Sequence, residues 1–331
     1  MLGSVKRLSL LVAAVALVGA CSSSGATPAA TVGGATSAPS TAAPSTPALA
    51  GDIKIDGSST VYPITEAVAE EFQKANTGVR VTVAFSGTGG GFKKFCAGET
   101  DANDASRPIK ADSADEGAGC AAKGIEPVEL EVAFDGLSVL VNPQNTWVDC
   151  LTTAELTQIW DTGSTVKTWK DVRPDWPADE IKLFGPGADS GTFDYFTEVI
   201  NGTVDQSRSD YTQSEDDNAL VQGISGDKNA LGYFGFAYYE ANTDKLKLVP
   251  IDSGSGCVAP SRDTIANGTY EPLSRPLFVY ASKQSLARPE VAAFFEFYLA
   301  NVNTYVVEVG YVELPAERLQ KAKDALAAAL K

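Results

Sequence analysis

The chain has 331 residues, with 26 lysines and arginines against 42 acids and no histidine, for a formal charge of −16. So acidic a chain is not one whose affinity comes from neutralising a nucleic-acid backbone. The lack of histidine excludes Ser-His-Asp chemistry and removes a principal zinc donor.

At the N-terminus, Lys6 and Arg7 precede an apolar run from Leu8 to Val18, and Gly19 and Ala20 lead to Cys21. The run falls short of the roughly 18 to 20 apolar residues that span a bilayer, so residues 1–20 read as a cleavable signal ending in a lipobox. Its removal takes away Lys6 and Arg7 and no acid, leaving the mature chain more negative still. A diacylated Cys21 would hold the chain on the outer face of the cell membrane, because two acyl chains anchor stably. The stretch to residue 50 is almost wholly Ser, Ala, Thr, Pro and Gly, with no aromatic residue. It cannot bury enough apolar surface to offset ordering entropy and reads as a flexible tether.

The body, residues 51–331, is long enough for two lobes. A strand is predicted over Asp52–Asp56. The helix Pro63–Ala75 follows, with Ile64, Ala67, Val68, Phe72 and Ala75 on one stripe. Val79–Phe85 reads as the next strand, then a Gly-rich loop and short helix over Ser86–Ala97, then strands at Val128–Ala133 and Leu137–Val141. Ile181–Phe184 runs into the loop Gly185–Gly191 and an amphipathic helix carrying Phe193, Phe196 and Ile200. Helices over Pro289–Val302 and Ala316–Leu330 close the chain. The alternation predicts α/β lobes with parallel strands. Cys96, Cys120, Cys150 and Cys257 remain in the body, and an even number in an exported chain favours disulfides. Of three possible connectivities, Cys96–Cys120 with Cys150–Cys257 fits the chain order best. The cysteines have no CxxC spacing, so no metal is expected.

Four loops are rich in small residues and donors: Gly57-Ser58-Ser59-Thr60, Ser86 to Gly91, Asp104-Ala105-Ser106-Arg107-Pro108, and Asp189-Ser190-Gly191-Thr192. The first, second and fourth precede predicted helices, whose opening N–H groups and dipole attract anions. Each alone reads first as a cap or turn, the commoner use of Ser and Thr. Their recurrence after strands matches the place where open α/β sheets bind ligands. Phe92 breaks both the P-loop and the GxGxxG spacing, and Ser190 is out of frame for GxSxG.

In these loops the chain resembles the phosphate-binding subunit of bacterial phosphate-specific ABC transporters (PstS-like), in the periplasmic-binding-protein superfamily. The likeness rests on Gly-Ser-Ser-Thr-Val-Tyr-Pro at 57–63, Ser-Gly-Thr-Gly-Gly-Gly-Phe-Lys-Lys-Phe at 86–95, and Ala-Ser-Arg-Pro-Ile at 105–109. It extends to Asp-Ser-Gly-Thr-Phe-Asp-Tyr-Phe at 189–196 and Gly-Tyr-Phe-Gly-Phe-Ala-Tyr-Tyr at 232–239. The resemblance implies an α/β, two-lobed fold of type II, each lobe a mixed, mostly parallel sheet flanked by helices, with the ligand cleft between. The lobes are expected at 51–133, 134–260 and, returning to the first, 261–331. Phosphate would meet Ser59, Thr60, the Val61 backbone, Thr88, Ser106, Arg107, Ser190, Gly191 and Thr192, with Ser58 in a second tier.

The sequence departs from the best-known family pattern, which has an acid at the position of Arg107 and an arginine at that of Pro186. The acid that would accept the phosphate proton is therefore expected at Asp189 or within Glu215-Asp216-Asp217-Asn218, with Asp217 the choice there. The implied protein is a monomeric receptor that captures inorganic phosphate for ABC transporter permease subunits. It needs no cofactor, catalyses nothing, binds no nucleic acid and meets membrane lipid through Cys21. The alternatives are a receptor for another tetrahedral oxyanion, such as sulfate, and a secreted phosphatase-like hydrolase.

Overall fold

The structure, a computed structural model, describes residues 48–188, 190–214 and 216–331, so the signal, Cys21, Asp189 and Glu215 lie outside the described residues. The chain opens with β1 (Gly51–Gly57), α1 (Tyr62–Ala75), β2 (Val79–Val83), α2 (Gly87–Ala97), β3 (Ala102–Ala105) and α3 (Gly117–Ala122). Pro63 in the first turn of α1 presets the helical φ, and Ile64, Val68 and Phe72 form its buried face. Asn76 ends the helix, its backbone N–H and its side-chain amide both donating to the Phe72 carbonyl. β1 lies parallel to both β2 and β3, burying Ile53 and Ile55.

The strands expected at Val128–Ala133 and Leu137–Val141 form one, β4 (Pro127–Val141). The strand continues because the Asp135 carboxylate is paired across it, as described below. After it come β5 (Leu151–Thr152), α4 (Thr153–Trp160), α5 (Trp169–Val172), β6 (Lys182–Gly185) and α6 (Gly191–Phe196). α6 continues into a π-helical turn, Thr197–Asn201. Then follow β7 (Thr212–Gln213), α7 (Asp217–Gly226), β8 (Ala230–Gly235), α8 (Phe236–Glu240), β9 (Lys247–Leu248), β10 (Ile251–Asp252) and β11 (Cys257–Val258). The chain ends with α9 (Arg262–Ala266), β12 (Ser274–Ser282), α10 (Pro289–Glu308) and α11 (Ala316–Ala329).

The main sheet is mixed, in the order β2-β1-β3-β12-β4-β8-β6-β7. β4 links its halves, pairing antiparallel with β12 over residues 127–136 and with β8 over 137–141. Each half has its own hydrophobic core. The first holds Ile53, Val68, Phe72, Ala133, Phe294 and Phe295. The second holds Phe134, Trp160, Trp169, Phe196 and Tyr233. The chain therefore changes core between Ala133 and Phe134. On the return, Ile265, Tyr270 and Leu273 still pack into the second core, and Leu277 is back in the first. The aromatic segment around Tyr233 is core packing: the Tyr233 ring stacks on Phe196 at 3.8 Å between centroids, with Trp160 edge-on at 4.9 Å. The sulfurs of Cys96 and Cys120 bond α2 to α3 at 1.99 Å, and those of Cys150 and Cys257 bond at 2.05 Å across 107 residues.

Candidate functional site: an anion cleft between the two halves

Three loops are stitched together at the carboxyl ends of the parallel strands. The Ser58 N–H donates to the Asp104 carbonyl at 2.8 Å, and the Ser86 N–H donates to that of Gly57 at 3.0 Å. The approach is close enough to require glycine: a Cβ on Gly91 would stand 2.4 Å from the Gly57 Cα and 2.0 Å from Asn103 Oδ1. The stitching gathers hydroxyls. The Ser58 Oγ accepts from the Thr60 N–H at 3.2 Å, Thr88 Oγ1 and Ser106 Oγ lie 3.0 Å apart, and the Ser106 N–H donates to Thr88 Oγ1 at 3.1 Å.

A cavity of about 570 Å³ opens over these loops. Ser58, Ser59, Thr60, Thr88, Ser106, Arg107 and Lys110 line it on one side, and Asp194, Tyr195, Glu198 and Arg275 on the other. The Val61 side chain is fully buried in the first core, so only its backbone is left for a ligand.

The Arg107 guanidinium forks onto the Glu116 carboxylate at 2.8 and 3.0 Å. Its side chain keeps 29% of its surface exposed while that of Glu116 keeps 6%, so the pair is buried from the acid's side. Burial works to raise the Glu116 carboxyl, but the bonds from Arg107 and from the Lys110 N–H outweigh it and hold the group below the usual glutamate range.

Arg275 is one of the cleft residues that the sequence reading misses. Its Nε reaches Asp135 Oδ2 at 3.2 Å, and its Nη2 donates to Thr60 Oγ1 at 3.0 Å. Its guanidinium carbon lies 3.7 Å from the Tyr195 ring centre. Burial pushes the Asp135 carboxyl above the usual aspartate range, and Arg275 pulls it back in part. No loop motif marks Arg275. The position directly across β12–β4 from Asp135 is a matter of register.

The fourth loop touches the first without lining the same cavity. A Cβ on Gly191 would sit 2.7 Å from Thr60 Oγ1 and 3.0 Å from Thr60 Cα. Ser190, Gly191 and Thr192 line an adjoining cavity of about 410 Å³, shared with Ser59, Tyr62, Asp217 and Tyr238. The Ser190 Oγ accepts from the Thr192 N–H at 3.2 Å. Asp216 is engaged as the cap of α7, accepting from the Asn218 N–H at 2.9 Å. Among the described residues, the acids on the larger cavity are therefore Asp194 and Glu198. Asp194 Oδ2 accepts from the Ser59 hydroxyl at 3.2 Å. Burial raises its carboxyl above the usual aspartate range, against the lowering effect of that hydroxyl. Asp194 is one helical turn beyond Ser190, a spacing that could have singled it out in the sequence.

A family model described as a PBP superfamily domain matches residues 34–302. The chain belongs to the PBP superfamily. Within it, Protein SphX of Synechocystis is 48% identical over 274 residues, which cover 82% of this chain and 81% of that one. The phosphate-binding protein PstS of Staphylococcus saprophyticus is 40% identical over 267 residues, 80% of this chain and 81% of that one. A crystal structure described as a possible phosphate binding protein from Planctomyces limnophilus superposes with a TM-score of 0.82 at 53% identity, covering 86% of this chain and all of that one. The fold is also that of an ABC-type phosphate transport receptor from Vibrio cholerae, with a TM-score of 0.61 at 23% identity. The type II two-lobed PBP fold accounts for the two cores, the strands shared between them and the cleft at their junction.

Proposed function

We propose that this chain is an exported receptor that captures inorganic phosphate between its lobes and hands it to the permease of an ABC transporter, without catalysing a reaction. The observation that carries this reading is the convergence of Ser59, Thr60, Thr88 and Ser106 with Arg107, Lys110 and Arg275 on one cavity. Hydroxyls satisfy tetrahedral oxygens singly, and guanidinium forks satisfy them in pairs. The similarity to a PstS protein over four-fifths of the chain points to the same ligand. The acidic surface is no obstacle, because at physiological salt charges beyond about 8 Å are largely screened.

The proposed lobes meet where β4 and β12 cross from one core to the other, and closure about those strands brings the Ser190 loop and the Thr60 loop onto one anion. Their present contact through Gly191 supports this. The signal and Cys21 lie outside the described residues, and anchoring rests on their sequence alone. Cell fractionation checks it, since an anchored chain leaves membranes only with detergent.

Asp189, one of the acids expected from sequence to accept the phosphate proton, is also outside the described residues. We assign that role to Asp194, which faces the larger cavity from the helix that follows. A carboxylate there accepts the P–OH of hydrogen phosphate and repels sulfate, which has no proton to give. Asp194→Asn is then expected to narrow the preference for phosphate over sulfate about tenfold, or roughly 1.4 kcal/mol. Titration of both anions into the variant checks this, and an unchanged ratio removes Asp194 from the mechanism. As pH falls through its raised value, the Asp194 carboxylate gains a proton and phosphate binding weakens on the acid side.

A further inference from the structure

We propose that Arg275 is a direct anion-binding residue and the cation that ties the two lobes together across the ligand. The inference rests on the phosphate-receptor reading and assigns to it a residue outside every loop motif in the sequence.

A guanidinium carries five N–H donors in a fixed plane. In Arg275, Nε is committed to Asp135 and Nη2 gives one bond to Thr60. Nη1 stands 3.9 Å from Glu198 Oε2, beyond hydrogen-bond reach. The side chain is only 12% exposed, yet Nη1 and the second Nη2 proton make no hydrogen bond among the described residues. These open donors border the cavity, where an anion can accept from them.

The rest of the geometry fixes the guanidinium in place before a ligand arrives. Asp135, with its side chain 1% exposed, is directly across the ladder from Arg275 and holds Nε. Tyr195 lies against the flat face at 3.7 Å, and its own hydroxyl donates to the Pro272 carbonyl at 2.5 Å, just upstream of β12. Thr60 belongs to the first lobe's loop, whereas Tyr195 and Glu198 belong to the second lobe. Arg275 thus reaches both lobes from a strand at their junction. An anion in the cavity supplies the missing acceptors and draws the Thr60 loop and the Tyr195 helix toward one guanidinium.

The test is titration of inorganic phosphate into the phosphate-free full chain and into R275Q and R275K, with melting of each protein without ligand. R275Q is expected to bind phosphate at least tenfold more weakly. R275K keeps the charge but loses the planar fork, and should fall between the two. If R275Q fails to fold, R275K decides: a severalfold loss with an intact ligand-free transition supports the proposal. Wild-type affinity in either folded variant overturns it. Failure of the wild-type chain itself to bind phosphate counts instead against the receptor reading.

Discussion

Replacing Arg107 with alanine is expected to weaken phosphate binding at least thirtyfold, about 2 kcal/mol, because the ligand loses a charge-assisted contact in a partly desolvated site. A second effect comes from Glu116, whose side chain is 6% exposed and is engaged by Arg107 through both oxygens. Without the guanidinium it is left with the Lys110 N–H at 2.7 Å, so the variant should also lose roughly 2 kcal/mol of stability, discounted because Arg107 is 29% exposed. The two effects separate in the double variant Arg107→Ala/Glu116→Gln, which removes the stranded charge. Its melting temperature should recover while its phosphate affinity stays low. Unchanged affinity in the single variant would place the guanidinium outside the site. The pH dependence has a definite sign. Glu116 is held below its ordinary value of about 4.3, so the pair's stabilisation is present above that value and is lost as pH falls through the lowered one.

Gly57→Ala is expected to be strongly destabilising. Gly57 ends β1 at φ +145°, a conformation that disfavours L side chains, and it sits where the three first-lobe loops are joined. An added Cβ would stand 2.1 Å from the Asp104 carbonyl oxygen and 2.7 Å from the Asp104 nitrogen, both backbone atoms that no rotamer change can move. Overpacking and backbone strain together should cost about 3 to 5 kcal/mol. The shift of Asp104 would also disturb Ser106 and Arg107 immediately after it. Denaturant unfolding measures the first effect, and phosphate titration at a temperature where the variant stays folded measures the second. Wild-type stability in Gly57→Ala would show that the loops do not meet as described.

Much of this site was legible in the sequence because it is built from local signals. Small residues after a strand mark Ser58 to Thr60, Thr88 and Ser106, and the structure brings them to one cavity. Arg275 was not legible, because it meets Thr60 across 215 residues and sits in a strand rather than a loop. Arg275 also explains the misread strand, through Asp135. Two strands were expected at Val128–Ala133 and Leu137–Val141, but with the Asp135 carboxylate paired across the ladder by Arg275 the segment between them stays inside one continuous strand. The Ser190 loop was recognised from Ser190-Gly191-Thr192, whereas its position against Thr60 depends on packing between distant segments, which no local pattern encodes.

The central claim is that the cleft selects phosphate, and isothermal titration of the purified, phosphate-free chain with phosphate and with sulfate tests it most directly. The account predicts tight phosphate binding with sulfate at least a hundredfold weaker, a gap of about 2.7 kcal/mol. Equal affinity for the two anions, or no binding of either, would contradict it.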